Sequence, residues 1–434
     1  MTTTERHVGF EDSEDALVDG DRPFPVGRTR EVLRDRTFST IFFGAFASNI
    51  GSWMQNAVLM GYAFSLTKSA TFVGIIVACQ LAPSLFLSVI GGWISDVVDR
   101  RALLIIVSIE QLLFSIGLAA ITRGSHPSHT GIVLMVLAVG IGQAIYAPAY
   151  SALLPSLVKR DNLAAAISLN SAQMNGSRVI GPAIGGVLLH LVGAPWVFFG
   201  NALTYIAIII ALLMVKLPAR IGFDSPGTRG LRQLTVGLRV ARQDRIVGRC
   251  LVTIFLFSAF ALTFVGQLSV VAEENYGIKS DSAGYGLLYA TFGVGALFGA
   301  LSIGTVLASR PRPRIVRIGM FGYAVVLAVF AVLRSPTAAF PVVAVLGFFY
   351  FMMVTALNTT LQEQLDNAVR GRVMALWIMG FGGTVGLGNL VAGRLIDATS
   401  VTAVLLVNAV VALGLTWYAD VRPPSLVEGV VDQS

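Results

Sequence analysis

Gly91-Gly92-Trp93-Ile94-Ser95-Asp96-Val97-Val98-Asp99-Arg100-Arg101 ends in a short charged break between two long apolar runs. Residues 71–95 on one side and 102–122 on the other are each long enough to cross a bilayer as a helix, which takes about 20 mostly apolar residues. Similar apolar runs recur along the whole chain, at 38–66, 71–95, 102–122, 131–154, 163–190, 195–216, 248–272, 282–308, 315–334, 337–361, 371–396 and 401–420. Strands of a membrane barrel are excluded, because they are about 10 residues long and alternate in polarity. Composition agrees. The 434 residues are 55% hydrophobic and 13% charged, with a mean hydropathy of +0.75. Soluble domains are about 25% charged, so this chain could not coat the globules its length would otherwise imply. Two cysteines, and glycines without a triplet period, exclude disulfide-scaffold and collagen classes. The predicted fold class is an all-α membrane protein of twelve transmembrane helices in two pseudo-symmetric six-helix bundles.

Lysine and arginine divide unevenly among the connections. With the N-terminus in the cytoplasm, 25 of the 31 fall on the cytoplasmic side, and only Lys68, Arg123, Lys279 and Arg334 fall outside. Arg178 and Arg394 lie within or at the end of spans. This positive-inside bias predicts a multi-pass protein of the inner (plasma) membrane with both termini cytoplasmic. The net charge of +7 is then a record of topology. The lipid bilayer is an expected partner and nucleic acid is not. Residues 1–37 have no apolar core or small-residue cleavage site, so they read as a cytoplasmic tail rather than a signal peptide.

The longest internal polar stretch divides the spans six and six. The expected domains are a six-helix bundle at 38–216, a linker with a basic interfacial helix at 217–247, a second bundle at 248–420 and a tail at 421–434. The halves repeat weakly. Gly181-Pro182-Ala183-Ile184-Gly185-Gly186 matches Gly388-Asn389-Leu390-Val391-Ala392-Gly393 at an offset of 207, which also brings Asn201 onto Asn408. An offset of 212 brings Gly74 onto Gly286 and Gly92 onto Gly304. Internal repeats of this kind are typical of secondary transporters.

Within this frame residues 91–101 become specific. They resemble the cytoplasmic signature of the major facilitator superfamily, Gly-x-Leu-Ala-Asp-Arg-x-Gly-Arg-Arg. Gly92, Asp96, Arg100 and Arg101 match, while Val97 replaces the usual Arg and Asp99 the usual Gly. The resemblance implies a cytoplasmic gate built from Gly92, Asp96, Asp99, Arg100 and Arg101. Asp96 would meet the start of span 11 near Arg370-Gly371-Arg372. The plain alternative is a positive-inside turn without a gating role. The second copy, Arg310-Pro311-Arg312-Pro313-Arg314, has lost the acid. Span 5 carries Arg178, Gly181, Pro182, Gly185 and Gly186, similar to the Gly-Pro-x-x-Gly-Gly element of export-type facilitator antiporters. Gly181 and Gly185 allow close backbone approach, and Pro182 frees a carbonyl and can bend the helix. Gly295 and Gly299 offer the same spacing in span 8. Spans 5 and 8 meet across the halves in this superfamily, so a seam is expected there. Leu361-Gln362-Glu363-Gln364-Leu365, with Val369-Arg370-Gly371-Arg372-Val373-Met374, resembles the export branch that contains macrolide-efflux proteins and the enterobactin exporter.

Charge inside the spans is nearly confined to Arg178 and Glu110, the two coupling candidates. Arg178 lies about 15 residues into span 5, and a charge at that depth is expensive and faces a polar interior. Gln55, Asn56, Glu273 and Glu274 are its candidate partners; a structural arginine is the alternative. Glu110 is shallower, and a role beside Arg101 is favoured over proton carriage. Helical spacing aligns Asn49, Trp53, Asn56 and Met60 in span 1; Gln143, Tyr146 and Tyr150 in span 4; and Phe260, Phe264 and Gln267 in span 7. Span 10 adds Tyr350 and Asn358. In the superfamily these spans line a cavity, here poor in charge and suited to a bulky amphipathic solute. Simple packing is the alternative for each residue.

No Gly-Lys-Ser/Thr phosphate loop is present. His126 and His129 flank a proline and read as solvated, so neither metal nor cofactor is expected. No nucleophile, base and orienter constellation stands out, so an enzyme is not expected. The reading is a secondary active exporter of a drug, macrolide-like or siderophore-like molecule by alternating access, for which the resemblance implies proton antiport. Siderophore or lysophospholipid transport stays open, as does a receptor or assembly factor on the same scaffold.

Overall fold

A computed structural model describes residues 26–215, 231–419 and 421. Residues 1–25 of the expected N-terminal tail, 216–230 around the start of the linker, Asp420 and 422–434 of the expected C-terminal tail lie outside the described residues. The twelve expected helices are present: α1 (Arg36–Thr67), α2 (Ala70–Leu81 and Pro83–Val97), α3 (Arg100–Thr122), α4 (His129–Leu153), α5 (Leu163–Val192) and α6 (Ala194–Met214) form one half. The other half holds α7 (Arg245–Leu256, Phe257–Ala261, Thr263–Gly266 and Leu268–Tyr276), α8 (Ala283–Gly304), α9 (Arg312–Val332), α10 (Pro336–Glu363), α11 (Asn367–Ile378, Met379–Gly383 and Thr384–Ala398) and α12 (Val401–Tyr418). Ten helices are long and apolar enough to cross a membrane. The other two, α1 and α5, are the longest unbroken helices and carry polar residues within their length, among them Gln55, Asn56 and Arg178.

Helix ends follow local chemistry. Asp35 accepts from the amides of Thr37 and Phe38 at 2.8 and 3.1 Å, which starts α1. Asp99 caps α3 through the Ala102 amide at 2.7 Å, and Asp244 caps α7 through Ile246 and Val247. Each side-chain oxygen satisfies an amide with no intrahelical partner. Asp99, which departs from the superfamily signature, thus has a helix-capping job. A helix at Val26–Arg34 precedes α1, and a basic helix at Leu231–Gln243 packs on the first segment of α11.

The repeat seen in the sequence is physical. Asn201 on α6 donates to Gln55 on α1 at 2.9 Å, and Asn408 on α12 donates to Thr263 on α7 at 2.8 Å. The asparagines are 207 residues apart and their acceptors 208. Gly181 packs α5 on α1 at Ile50 and Trp53, and Gly388 packs α11 on α7 at Ala259. The two halves then meet along two seams, α5 with α8 and α2 with α11. Four of the matched glycines, Gly74, Gly186, Gly286 and Gly393, are points of contact there. A Cβ on Gly186 would lie 2.6 Å from the Cα of Gly286, and Gly74 lies against the backbone of Asn389. Gly295 and Gly299, expected at the α5–α8 seam, instead face Ala344 and Phe348 of α10. Spacing alone could not tell which side of α8 turned toward α5.

The symmetry fails in helix regularity. α7 and α11 each contain one π-helical turn, at Phe257–Ala261 and Met379–Gly383, and these pack near one another. Such turns recur at functional sites. α1 and α5 have no counterpart.

Candidate substrate site and its two closures

The Gly-Pro-x-x-Gly-Gly stretch builds the centre of the molecule. Gly181 admits α1 so closely that a Cβ would lie 2.7 Å from that of Trp53. Pro182 has no amide to offer the carbonyl four residues back, which is that of Arg178. Arg178 therefore emerges beside Trp53 at the junction of the halves. Its guanidinium lies 5.1 Å from the Trp53 ring on α1 and 4.9 Å from the Phe351 ring on α10. Tyr289 on α8 and Tyr350 on α10 are within electrostatic range. The side chain as a whole is half-buried, yet Nε is fully withdrawn from the surface with no hydrogen-bond partner. A charge at bilayer depth costs roughly 2.5–3.5 kcal/mol even on lenient scales. Cation–π contacts return only about 0.5–2 kcal/mol each.

Three of the four partners expected for Arg178 are engaged elsewhere, and the fourth, Glu274, lies near Asp397 and Glu273. Gln55 accepts from Asn201, Asn56 accepts from Gln80, and Glu273 pairs with Lys68. The polar and aromatic stripes divide likewise. Trp53 and Tyr350 stand at the central site, with Asn49 half-buried on α1. Phe264 is fully buried among Phe292, Tyr323 and Phe330, inside the second bundle. Tyr146 stacks on Tyr150 inside the first bundle. Gln267 is buried, donating to the Ala70 carbonyl at 3.3 Å. Gln143 accepts from Gln111 of α3, and Asn358 accepts from Gln362 of its own helix. Helical spacing put these residues on common faces, but neighbouring helices decided which faces are packed.

Glu110 packs against Gly142 on α4, and its Oε2 is buried without a partner. Arg101 does not reach it. Arg101 donates to the carbonyls of Leu212 and Leu213 at the end of α6, at 2.7 and 2.8 Å. Arg100 likewise donates to Ala152 of α4 at 2.8 Å and to Ser95 at 3.2 Å. These arginines close helix C-termini, where the carbonyls lack intrahelical donors and the dipole is negative. The second half keeps this feature despite its lost acid, since Arg312 donates to Ile303 at 3.2 Å. Arg370 donates to Leu365, and the Arg372 carbonyl lies against Gly237 of the basic helix. These bonds of Asp99, Arg100, Arg101 and Arg370 each join groups of the same half. Nothing lies within 4 Å of a Cβ placed on Gly371. The surroundings of Gly92 and the side chain of Asp96 lie outside what the structure describes.

The opposite face is closed by bonds between halves. Asp397, at the end of α11, accepts from Ser69 Oγ at 2.7 Å and from the amides of Ala70 and Thr71 at 2.8 and 2.9 Å. A carboxylate of one half thus caps the first turn of α2 in the other, where the helix dipole favours it. Lys68 pairs with Glu273 across the same boundary. Glu273 also accepts from the hydroxyl and amide of Ser280 at 2.7 and 3.2 Å. It lies past the apolar stretch of α7; burial opposes its charge, but the bonds from Lys68 and Ser280 outweigh this and hold its carboxyl below the ordinary value. Asp397 and Lys68 were not singled out in the sequence. Asp397 reads there as one more polar residue at a span end, and only its place opposite Ser69 gives it a role.

Two six-helix bundles with a polar site at their junction define a transporter of the major facilitator type. A solved nucleoside transporter, NupG, has this fold at a TM-score of 0.70 and 12% identity, over 88% of this chain and 97% of that one. A bacterial homologue of the human lysosomal transporter Spinster, solved in an inward-facing, unoccupied conformation, has it at 0.69 and 14%, over 89% and 96%. The chain belongs to the transmembrane secretion effector family of that superfamily, whose profile matches residues 30–424. It is 25% identical to the staphyloferrin A transporter of Staphylococcus aureus (strain NCTC 8325 / PS 47), over 86% of this chain and 93% of that protein. It is 27% identical to the enterobactin exporter EntS of Shigella boydii serotype 4, over 80% of each.

Proposed function

We propose that this protein exports a siderophore-like, bulky and partly apolar small molecule from the cytoplasm by alternating access, in exchange for protons. The observation that carries the reading is the Arg178 site, which takes Trp53 from one half and Phe351 from the other. A solute held there is exposed to one side or the other as the halves rock. The arginine-rich face is the cytoplasmic one by the positive-inside bias. The face closed by Asp397 and by Lys68–Glu273 is then the outer one, so the state described is closed to the outside. Similarity to a staphyloferrin A transporter and an enterobactin exporter supports a siderophore-like cargo over a drug or macrolide. On the cytoplasmic side Asp96, with Arg370 and Arg372, forms the lock of the alternate state, and Glu110 is the proton-coupling candidate.

Inside-out membrane vesicles with an imposed pH gradient test this. Siderophores, macrolides and dyes are supplied outside, and uptake is followed. Concentrative uptake of a siderophore that stops when the pH gradient is collapsed is expected. Continued accumulation without the gradient rejects proton exchange, and absence of uptake across the panel rejects the export reading. Asp96→Asn is expected to cut uptake at unchanged protein level.

A further inference from the structure

We infer that the cargo is a carboxylate-bearing anion and that Arg178 is its receptor. This rests on the export reading above and names the chemistry of the same site. Arg178 is a guanidinium at the centre of the molecule with no carboxylate paired to it among the described residues. The rings of Trp53 and Phe351 balance part of its charge, but a ring offers no lone pair to an N–H. Its Nε is buried and has no acceptor. A buried donor of this kind is expensive to leave unmet, and a charged one more so.

The fold does not demand this charge. At the offset of 207 that superposes Gly181 on Gly388, the counterpart of Arg178 is Val385, buried on α11. The same helix position, with the same glycine contact behind it, is therefore built with an apolar side chain in the other half. One half carries an unmet cation where its twin carries none, and the cation stands at the junction of the halves.

The surroundings select among anions. A planar guanidinium matches a carboxylate with two parallel N–H···O bonds. Trp53, Phe351 and Tyr350 make the walls aromatic, which suits an amphipathic monocarboxylate better than a strongly hydrated phosphate dianion. Glu110, the acid well inside a described span, packs against Gly142 of α4 and not against this guanidinium.

The test uses the purified full-length protein and a matched pair of fluorescent probes, 1-pyrenebutyrate and its methyl ester. They share one apolar body and differ in the charge. Wild type is expected to bind the acid at least tenfold more tightly than the ester. Arg178→Gln should erase that preference while still binding the ester, which also reports that the variant is folded. Arg178→Lys should fall between, because an ammonium keeps the charge and loses the planar fork. Equal binding of acid and ester by wild type overturns the assignment, as does a preference that survives in Arg178→Gln, or binding of neither probe. None of these results touches export itself. That reading falls only if vesicle uptake is flat for uncharged dyes as well as for anions.

Discussion

Asn201 and Asn408 each direct a buried amide at a polar partner on the first helix of their own bundle, Gln55 and Thr263. Such bonds between membrane helices contribute about 0.6 kcal/mol on average and up to about 1.7. Asn201→Ala and Asn408→Ala should therefore each lower detergent-phase stability by about 1 kcal/mol, read as a melting shift. Equal shifts would reflect the matched geometry. Glu273 sets a second prediction. Its charged form is favoured when the face it shares with Lys68 is closed, because Lys68 and Ser280 donate to it. A lowered value in the closed state means that closure is favoured at neutral pH and weakens as pH falls below the ordinary carboxylate range, about 4. Glu274 nearby is raised instead, by burial and by the charges of Asp397 and Glu273, so it protonates earlier and relieves repulsion rather than opening the face. Relative to an exposed reference cysteine at Lys279, which corrects for the slower reaction of any thiol in acid, labelling of a cysteine placed at Thr71 with an impermeant maleimide should speed up as pH falls. Glu273→Gln should label fast at neutral pH and lose the acid response.

At the scale of helices, the seams depend on missing side chains. Gly186 and Gly286 bring α5 and α8 into backbone contact. Gly286→Val should wedge them apart. Overpacking costs about 1–3 kcal/mol, so if the closed state bears that cost, labelling from the outer face should rise about tenfold or more. Gly414 on α12 is the contrast, since nothing lies within 4 Å of its Cβ position. Gly414→Ala should leave uptake unchanged and raise helix stability by about 0.5–1 kcal/mol. The apolar runs made all twelve helices legible in the sequence, and the repeat flagged Gly74, Gly186 and Gly286 in advance. The side of α8 that meets α5 was not legible, because Gly295 and Gly299 have the same spacing and serve α10 instead.

For the whole molecule, closure of the face opposite Arg100 and Arg101 is a property of two bundles held together by a few polar bonds. Lys68 and Glu273 touch across that boundary. Cysteines at both positions should cross-link under mild oxidation and stop vesicle uptake, and reductant should restore it. Uptake that persists with full cross-linking would mean that the outer face need not open during transport. Lys68→Cys alone, under the same oxidant, should keep its uptake. The central site shows the same dependence on assembly. Arg178 was visible as an isolated charge in an apolar run, and Trp53 as part of a stripe. Phe351 was not singled out, since a phenylalanine in an apolar span carries no signal until a neighbouring helix brings a cation to it.

The sequence by itself determined the class, the twelve helices, the division into halves and the residue to examine first. These depend on hydropathy, charge and repetition, which are properties of the chain read in order. Tertiary structure alone decided that Arg178 lies between Trp53 and Phe351, that Asp397 caps α2, and that Arg100 and Arg101 clamp their own bundle. Those contacts join residues up to 328 positions apart. A side chain's role there depends on which face its helix turns to another, and helix periodicity fixes the faces without fixing their neighbours.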